Sequence, residues 1–353
     1  MSNILESLKV SFVIIGTIIG AGFASGQEIY TFFNVYGLKG LLGIFISCML
    51  IEIVIYKTLK ISMQLKQEEY EDFLKSIIPE KLRDNKILIF TINNIINIFL
   101  LISFFIMVSG FASYFFQEFQ ASKIYGGIII AVLLLITFFK DINGIVKINT
   151  YLIPILILLV ILLGAKQINC GKLCFNNFQE SNVRWILSSI LYASYNSITL
   201  IPMLVSMKKM IKSKKQINQI VTIVTIVMTV LSVIIYFLIQ VFIKDLEGIE
   251  IPIVYIAGLL GNIYKYLYGF VILVAIFTTA ISAGYSFLVN CTKSKKQYTY
   301  WAIIMCITSI LVSKLSFSGL INLLYPIFGY LGIIQIIFIL NLKKASEFDI
   351  SII

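Results

Sequence analysis

Long, continuous apolar segments constrain this chain more than any other feature. A helix needs about 20 apolar residues to cross a bilayer core, and the sequence holds about ten segments near that length. Because apolar residues do not alternate with polar ones, these segments predict helices rather than strands of a barrel. The predicted spans are 10–30, 38–59, 87–116, 124–139, 148–165, 183–205, 217–243, 263–291, 298–313 and 318–341.

Composition excludes other classes of protein. Of the 353 residues, 59% are apolar and 13% are charged, whereas soluble domains average about 45–50% and about 25%. We therefore expect one all-α integral membrane domain over residues 1–353, with the lipid bilayer as its surroundings and no nucleic acid as a partner. The chain has no histidine, which excludes histidine-based catalysis and metal binding.

Charge distribution predicts the topology. If the N-terminus lies in the cytoplasm, most of the 28 lysine and arginine residues fall on the cytoplasmic side, as the positive-inside rule requires. Both termini are then cytoplasmic. Cys170 and Cys174 flank a loop on the outer side, and their spacing leaves open whether they form a disulfide.

The first span contains a glycine-rich run, Gly16 to Glu28, with the sequence GTIIGAGFASGQE. Four glycines with Thr, Ser, Gln and Glu beside them predict that the helix opens here. Free backbone groups at membrane depth must face a cavity or a ligand.

The sixth span is rich in hydroxyl groups from Ser188 to Pro202, and these groups favour local unwinding. Spans one and six open two five-helix halves, residues 1–165 and 183–341. Interrupted helices at matching places indicate an inverted-repeat transporter with discontinuous helices 1 and 6. The alternative is ordinary hydrogen bonding between helices.

The glycine pattern Gly16-x-x-x-Gly20-x-Gly22 resembles the unwound first helix of the amino acid–polyamine–organocation superfamily, which has the LeuT-type fold. The longer run resembles the bacterial YkvI-like group of amino acid permeases. The resemblance covers the whole chain in span number and order. It implies a bacterial cytoplasmic membrane protein that binds substrate between helices 1 and 6.

The resemblance implies a zwitterion site without a charged side chain. Backbone amides at the start of a half-helix suit a carboxylate, and carbonyls freed at the other half-helix end accept an ammonium. Tyr192, Tyr195 and Phe23 cover the apolar part of the ligand, or else they simply pack. The predicted substrate-binding residues are Gly20, Ala21, Gly22, Phe23, Tyr192, Ser194, Tyr195, Asn196 and Ser197.

A sodium site is implied by the Ala275-Ile276-Phe277-Thr278-Thr279 element of the eighth span, which resembles that of sodium-coupled members. Its alternative is that the two threonines bond back to the preceding turn. Beyond Na⁺ as coupling ion, no cofactor is expected. The carried-over ligands are the carbonyls of Gly16, Ile19 and Ala275 and the hydroxyls of Thr278 and Thr279.

Two carboxylates, Glu28 and Glu52, lie within predicted spans. A carboxylate at membrane depth costs a few kcal/mol, so each is a candidate for coupling or for support of the opened backbone. Either could carry a proton, which gives a proton-coupled alternative to sodium.

These features predict a secondary transporter of a small amino acid or related solute that works by alternating access. A second class is a receptor on the same fold that binds such solutes without transporting them. An enzyme is not expected, because the sequence offers no nucleophile–base arrangement.

Overall fold

The computed structural model describes residues 2–64, 70–79, 85–139, 143–169 and 183–341. Within these ranges every regular element is a helix. The α-helices are α1 (Ser2–Ile18), α2 (Ala21–Ala24), α3 (Gln27–Phe32), α4 (Leu38–Gln64), α5 (Tyr70–Ile77), α6 (Lys86–Phe119), α7 (Lys123–Phe138), α8 (Asn143–Asn169), α9 (Arg184–Ser206), α10 (Lys214–Phe242), α11 (Pro252–Leu260), α12 (Asn262–Cys291), α13 (Lys295–Val312) and α14 (Phe317–Asn341). Cys170 and Cys174 lie outside the described residues.

Among the described residues, six helices are long and apolar enough, by length and composition, to cross a membrane: α4, α6, α8, α10, α12 and α14. Helix α7 is apolar but shorter. Its outward side chains, such as Val132 and Ile136, are 50% and 47% exposed. Apolar side chains exposed in rows suit lipid rather than water. The other three predicted spans coincide with α1–α3, α9 and α13, so a helix occupies each predicted segment.

The first predicted span is interrupted, as its glycines indicate. Helix α1 ends at Ile18, and Gly20 has an extended backbone before α2 begins. A second interruption follows at Gly26, whose φ is +83°, a conformation that L side chains rarely adopt. A Cβ atom on Gly26 would also meet the side chain of Ile253 at 2.7 Å.

The predicted break in the sixth span is wrong, because α9 is continuous from Arg184 to Ser206. Its polar side chains donate hydrogen bonds to backbone carbonyls one turn earlier, and the helix does not unwind. The hydroxyls of Ser189, Ser194 and Ser197 each donate to the carbonyl at i−4 at 2.7 Å. Such bonds satisfy the hydroxyls and leave the helical ladder intact.

Helix α9 lies at the centre of the bundle, against α4 and α14. Small residues allow these helices to approach closely. A Cβ atom on Gly329 of α14 would stand 2.8 Å from the Leu191 carbonyl. The Ser47 hydroxyl of α4 donates to the Ser189 carbonyl at 2.9 Å. The hydroxyl-rich face of α9 is therefore a packing face over much of its length.

The polar segment between α4 and α6 contains the short helix α5. Phe73 and Leu74 of α5 are fully buried. At its start, the Tyr70 hydroxyl accepts a hydrogen bond from Gln335 of α14 at 3.2 Å. The apolar face of α5 is therefore packed against the bundle rather than solvated.

Candidate functional site

A cavity of about 570 Å³ begins at the first interruption, beside Gly20 and Ala21. Helices α1, α6, α9 and α12 form most of its walls, and Tyr325 of α14 also lines it. The walls continue to Ser206 and Asn290, in the last turns of α9 and α12. Since both of these residues are exposed, the cavity opens at that end of the bundle.

Glu28 lies at the inner end of the cavity and is 3% exposed. Its carboxylate accepts a hydrogen bond from the Tyr195 hydroxyl of α9. It also accepts one from the backbone N–H of Phe23, in the first turn of α2. The carboxylate thus joins α3 to α2 and α9 across the opened backbone.

This arrangement corrects the predicted role of the Phe23 amide in α2. It was expected to bind the carboxylate of a substrate, but the carboxylate at Phe23 belongs to the chain itself. A Cβ atom on Gly22 would collide with Glu28 Oε1, so Gly22 makes room for this internal carboxylate. Gly22 and Phe23 are buried and do not line the cavity.

Aromatic rings surround the carboxylate. The ring of Tyr195 lies 4.7 Å from that of Tyr325 and 5.5 Å from that of Phe32, between centroids. Tyr192 does not line the cavity and packs edge-on against Phe32 and Phe33. For Tyr192, packing is therefore the role that the structure shows.

The structure divides the predicted substrate residues into two groups. Gly20, Ala21, Tyr195 and Asn196 line the cavity. Gly20 has open space where a Cβ atom would stand. The remaining five are buried elsewhere and do not line it: Gly22, Phe23, Tyr192, Ser194 and Ser197.

A polar row on α12 forms part of the wall, and of its residues only Thr279 was predicted from the sequence. It consists of Thr279, Ser282, Ser286 and Asn290. Spacings of three, four and four residues place all four on one helix face. Asn290 also donates to Asn97 of α6 at 2.9 Å, near the mouth. This periodicity was available in the sequence and could have identified the wall.

The predicted sodium ligands are partly brought together. Gly16 and Thr279 line the cavity, whereas Ile19, Ala275 and Thr278 do not. The backbone N–H of Gly20 donates to the Ile18 carbonyl at 2.9 Å. In a regular helix this N–H would instead donate to the Gly16 carbonyl. The Thr278 hydroxyl donates to the Ala275 carbonyl at 3.2 Å.

Glu52 lies apart from this site. It is half-buried in the middle of α4 and does not line the cavity. The residue one turn before it, Cys48, is hydrogen-bonded to Thr229 of α10. The two intramembrane carboxylates therefore have different surroundings, and Glu28 alone of the pair reaches the cavity.

The far side of the interruption is closed by the segment 250–253. The backbone N–H of Ile253 donates to the Ser25 carbonyl at 3.1 Å. Glu250 pairs with Lys123 of α7 at 2.5 Å and accepts the backbone N–H of Ser318 at 3.0 Å. These contacts connect the opened backbone to α7 and α14 on the side away from the cavity.

No family model matches the chain. It is 27% identical over 96% of its length to the uncharacterized membrane protein YkvI of Bacillus subtilis, and it covers 96% of that protein. It is 26% identical over 96% of its length to the uncharacterized protein YyaD of the same organism, with 98% of that protein covered. The apolar helices and the similarity to the membrane protein YkvI agree with a multi-pass membrane protein.

Two solved structures resemble the chain over most of its length. One is a manganese transporter from Eremococcus coleocola, with a TM-score of 0.59, 13% identity, and 96% of this chain and 78% of that chain covered. The other is a Na⁺-coupled sialic acid symporter, with a TM-score of 0.57, 12% identity, and coverage of 93% and 78%. The chain shares its fold with these transporters.

Proposed function

We propose that this protein is a secondary transporter of a small solute that carries an amino group, such as an amino acid. The observation that carries the proposal is the cavity that leads from exposed Ser282 and Asn290 to buried Glu28. A volume of about 570 Å³ is within the range of small-molecule sites. The shared fold supports the transporter class.

The amino group follows from the charge of the cavity. Among the lining residues that the structure describes, Glu28 has the one carboxyl group, whose ionised form is negative, and none has a basic side chain. An ammonium group would neutralise it and would lie beside the rings of Tyr195 and Tyr325, which favour cations. In this proposal the ammonium group of the substrate binds at Glu28. It replaces the expectation that a carboxylate of the substrate binds at the α2 amides.

Alternating access is the proposed mechanism. The cavity is open at the end of α9 and α12 and closed at the segment 250–253, which is the arrangement of an inward- or outward-open state. To open the cavity on the side of the segment 250–253, the contacts of Ile253 with Ser25 and of Glu250 with Lys123 must break. The predicted cytoplasmic location of the last turn of α9 makes this the inward-open state. The pairing of residues 1–165 with 183–341 as an inverted repeat remains part of the proposal.

Sodium coupling also remains a proposal. Gly16 and Thr279 face the same cavity, and a hard cation prefers oxygen ligands of this kind. The Thr278 hydroxyl donates its proton to the Ala275 carbonyl. Its oxygen still has lone pairs with which it could bind a cation. A sodium ion at this place would lie between α1 and α12.

The test uses thermal unfolding of the purified protein with two matched pairs of probes. Alanine is compared with ethylamine, and lysine with cadaverine, so that each pair differs by a carboxylate. A bound probe at about 100 times its Kd stabilises the folded state by about 2.7 kcal/mol. We expect at least one member of a pair to stabilise the protein, and Glu28→Gln to abolish the effect.

The matched control is Glu52→Gln, which removes the other intramembrane carboxylate outside the cavity. It should leave the stabilisation by the probes intact. If no probe stabilises the folded wild-type protein at any pH, the amino-group proposal is wrong. Stabilisation that persists in Glu28→Gln would contradict the site.

A further inference from the structure

We propose that Glu28 binds either a proton or the ammonium group of the substrate, but not both, so that the protein exchanges one for the other. This inference rests on the proposed function and adds its coupling. It starts from the buried carboxylate of Glu28, which accepts hydrogen bonds from Tyr195 and Phe23. Among the described residues that line the cavity, none has a basic side chain.

The charge at Glu28 has to be balanced when the cavity closes. While the cavity is open to water, the ionised carboxylate is partly solvated. In an occluded state that water is excluded, and an uncompensated carboxylate at membrane depth costs several kcal/mol. Reorientation is therefore favourable only when a cation or a proton neutralises Glu28.

The groups that face Glu28 supply no such cation. From α9 they are the phenols of Tyr192 and Tyr195, and from α14 the phenol of Tyr325. Helices α10 and α12 contribute phenols that are already bonded elsewhere. These are Tyr236, which donates to the Gly37 carbonyl, and Tyr268, which donates to the Ala24 carbonyl, each at 2.7 Å. All of these are neutral groups or hydrogen-bond donors, so the neutralising charge has to come from solution.

Proton and ammonium compete for the same oxygen atoms. Two donors of the chain, Tyr195 and Phe23, already occupy part of the acceptor capacity of the carboxylate. An ammonium binds to the ionised form, so the protonated carboxyl first releases its proton to water. The balance is one protonated Glu28 and one ammonium ion giving one carboxylate–ammonium pair and one free proton.

Exchange follows from this competition. The carrier crosses between its two open states with a proton or with the substrate, and it does not cross with Glu28 ionised and unpaired. A proton gradient directed into the cell would then drive the amino-group solute outward, one for one. This stoichiometry does not require sodium.

The experiment measures proton release on binding, with ethylamine and cadaverine as probes. They are added to purified protein in a weakly buffered detergent solution that contains a pH indicator. We expect release of one proton per bound probe at acidic pH. The apparent Kd should weaken by about tenfold for each unit by which the pH falls below the point where Glu28 protonates, as linkage requires.

Two variants separate this site from other carboxylates. Glu28→Gln keeps an acceptor for the Phe23 amide, so it should fold, but it should neither bind the probes nor release protons. Glu52→Gln should release protons as the wild type does. In proteoliposomes loaded with cadaverine, a proton gradient directed inward should drive cadaverine efflux through the wild type and not through Glu28→Gln.

The outcomes are distinguishable. Binding of a probe with no release of protons, or with a Kd independent of pH, would overturn exchange while the transporter proposal stands. Absence of binding by the folded wild-type protein at every pH would overturn both. Proton release that persists in Glu28→Gln would assign the exchange to another group.

Discussion

The Glu28 carboxylate lies where a Cβ atom on Gly22 would have to be placed. Gly22 belongs to α2 and Glu28 to α3, and both residues are buried. The glycine therefore serves the chain's own acidic side chain. It does so at the point where the first membrane helix is opened.

Gly22→Ala tests this contact. The added methyl group should displace the Glu28 carboxylate from Phe23 and Tyr195. Loss of a buried, charge-assisted hydrogen bond costs about 1–3 kcal/mol. We expect a lower unfolding temperature and weaker binding of the amine probes, measured by thermal unfolding with and without cadaverine.

Gly20→Ala is the matched control, because nothing lies within 4 Å of a Cβ atom on Gly20. Its backbone is extended, with φ −76°, which alanine adopts readily. The unfolding temperature of Gly20→Ala should stay near that of the wild type. Equal loss of stability in both variants would contradict the proposed contact.

Two ion pairs that differ in burial should differ in strength. Lys123 and Glu250 are largely buried, with side chains 17% and 11% exposed. Lys123→Met leaves Glu250 without its cation and should cost about 3 kcal/mol. Chemical or thermal unfolding of the purified variant measures this loss.

The pair Lys212–Glu6 provides the comparison, since its side chains are 67% and 42% exposed. Lys212→Met should cost less than about 1 kcal/mol. If Lys123→Met were as mild, the segment 250–253 would not be held by this pair.

The sodium proposal predicts that Na⁺, but not K⁺, raises the unfolding temperature. Thr279→Val removes a hydroxyl that faces the cavity and should abolish this rise. Thr17→Val is the control, because Thr17 lines the same cavity while donating to the Val13 carbonyl of its own helix at 3.1 Å. Equal unfolding temperatures in Na⁺ and K⁺ would show that the proposed ligands around Thr279 do not bind sodium.

The open end of the cavity predicts a pattern of chemical labelling. In a variant whose native cysteines are serine, Ser282→Cys should react with a charged, water-soluble thiol reagent. Ser309→Cys of α13, which is fully buried, should not. Reaction from inside-out vesicles and not from intact cells would place the open end in the cytoplasm. The opposite pattern would reverse the predicted topology.

The sequence predicted the helical fold and the interruption of the first helix, because apolar length and clustered glycines are local signals. It also identified Glu28 as a candidate. It could not show which group fills the space beside Gly22, because that contact depends on the turn at Gly26 and on Tyr195 of a distant helix.

The predicted break in α9 was wrong because the sequence alone does not decide how its polar side chains form hydrogen bonds. Serine and asparagine can unwind a helix or bond to its preceding turn, and neighbouring helices decide between these outcomes. Here Gly329 and Gly332 bring α14 against the carbonyl side of α9. The polar row on α12, by contrast, has a helical period that the sequence already contains.

Because α9 is continuous, the interruptions at Gly20 and Gly26 are confined to one of the two helices that were expected to be discontinuous. The part of α9 that precedes Pro202 has no break, so we expect it to tilt as one unit. Ser188 donates to the Phe32 carbonyl at 2.7 Å, so the end of α3 follows that tilt. The backbone at Gly20 and Gly26 then absorbs the difference. Stiffening these two glycines, rather than altering any residue of α9, should therefore be the way to arrest the protein in one state.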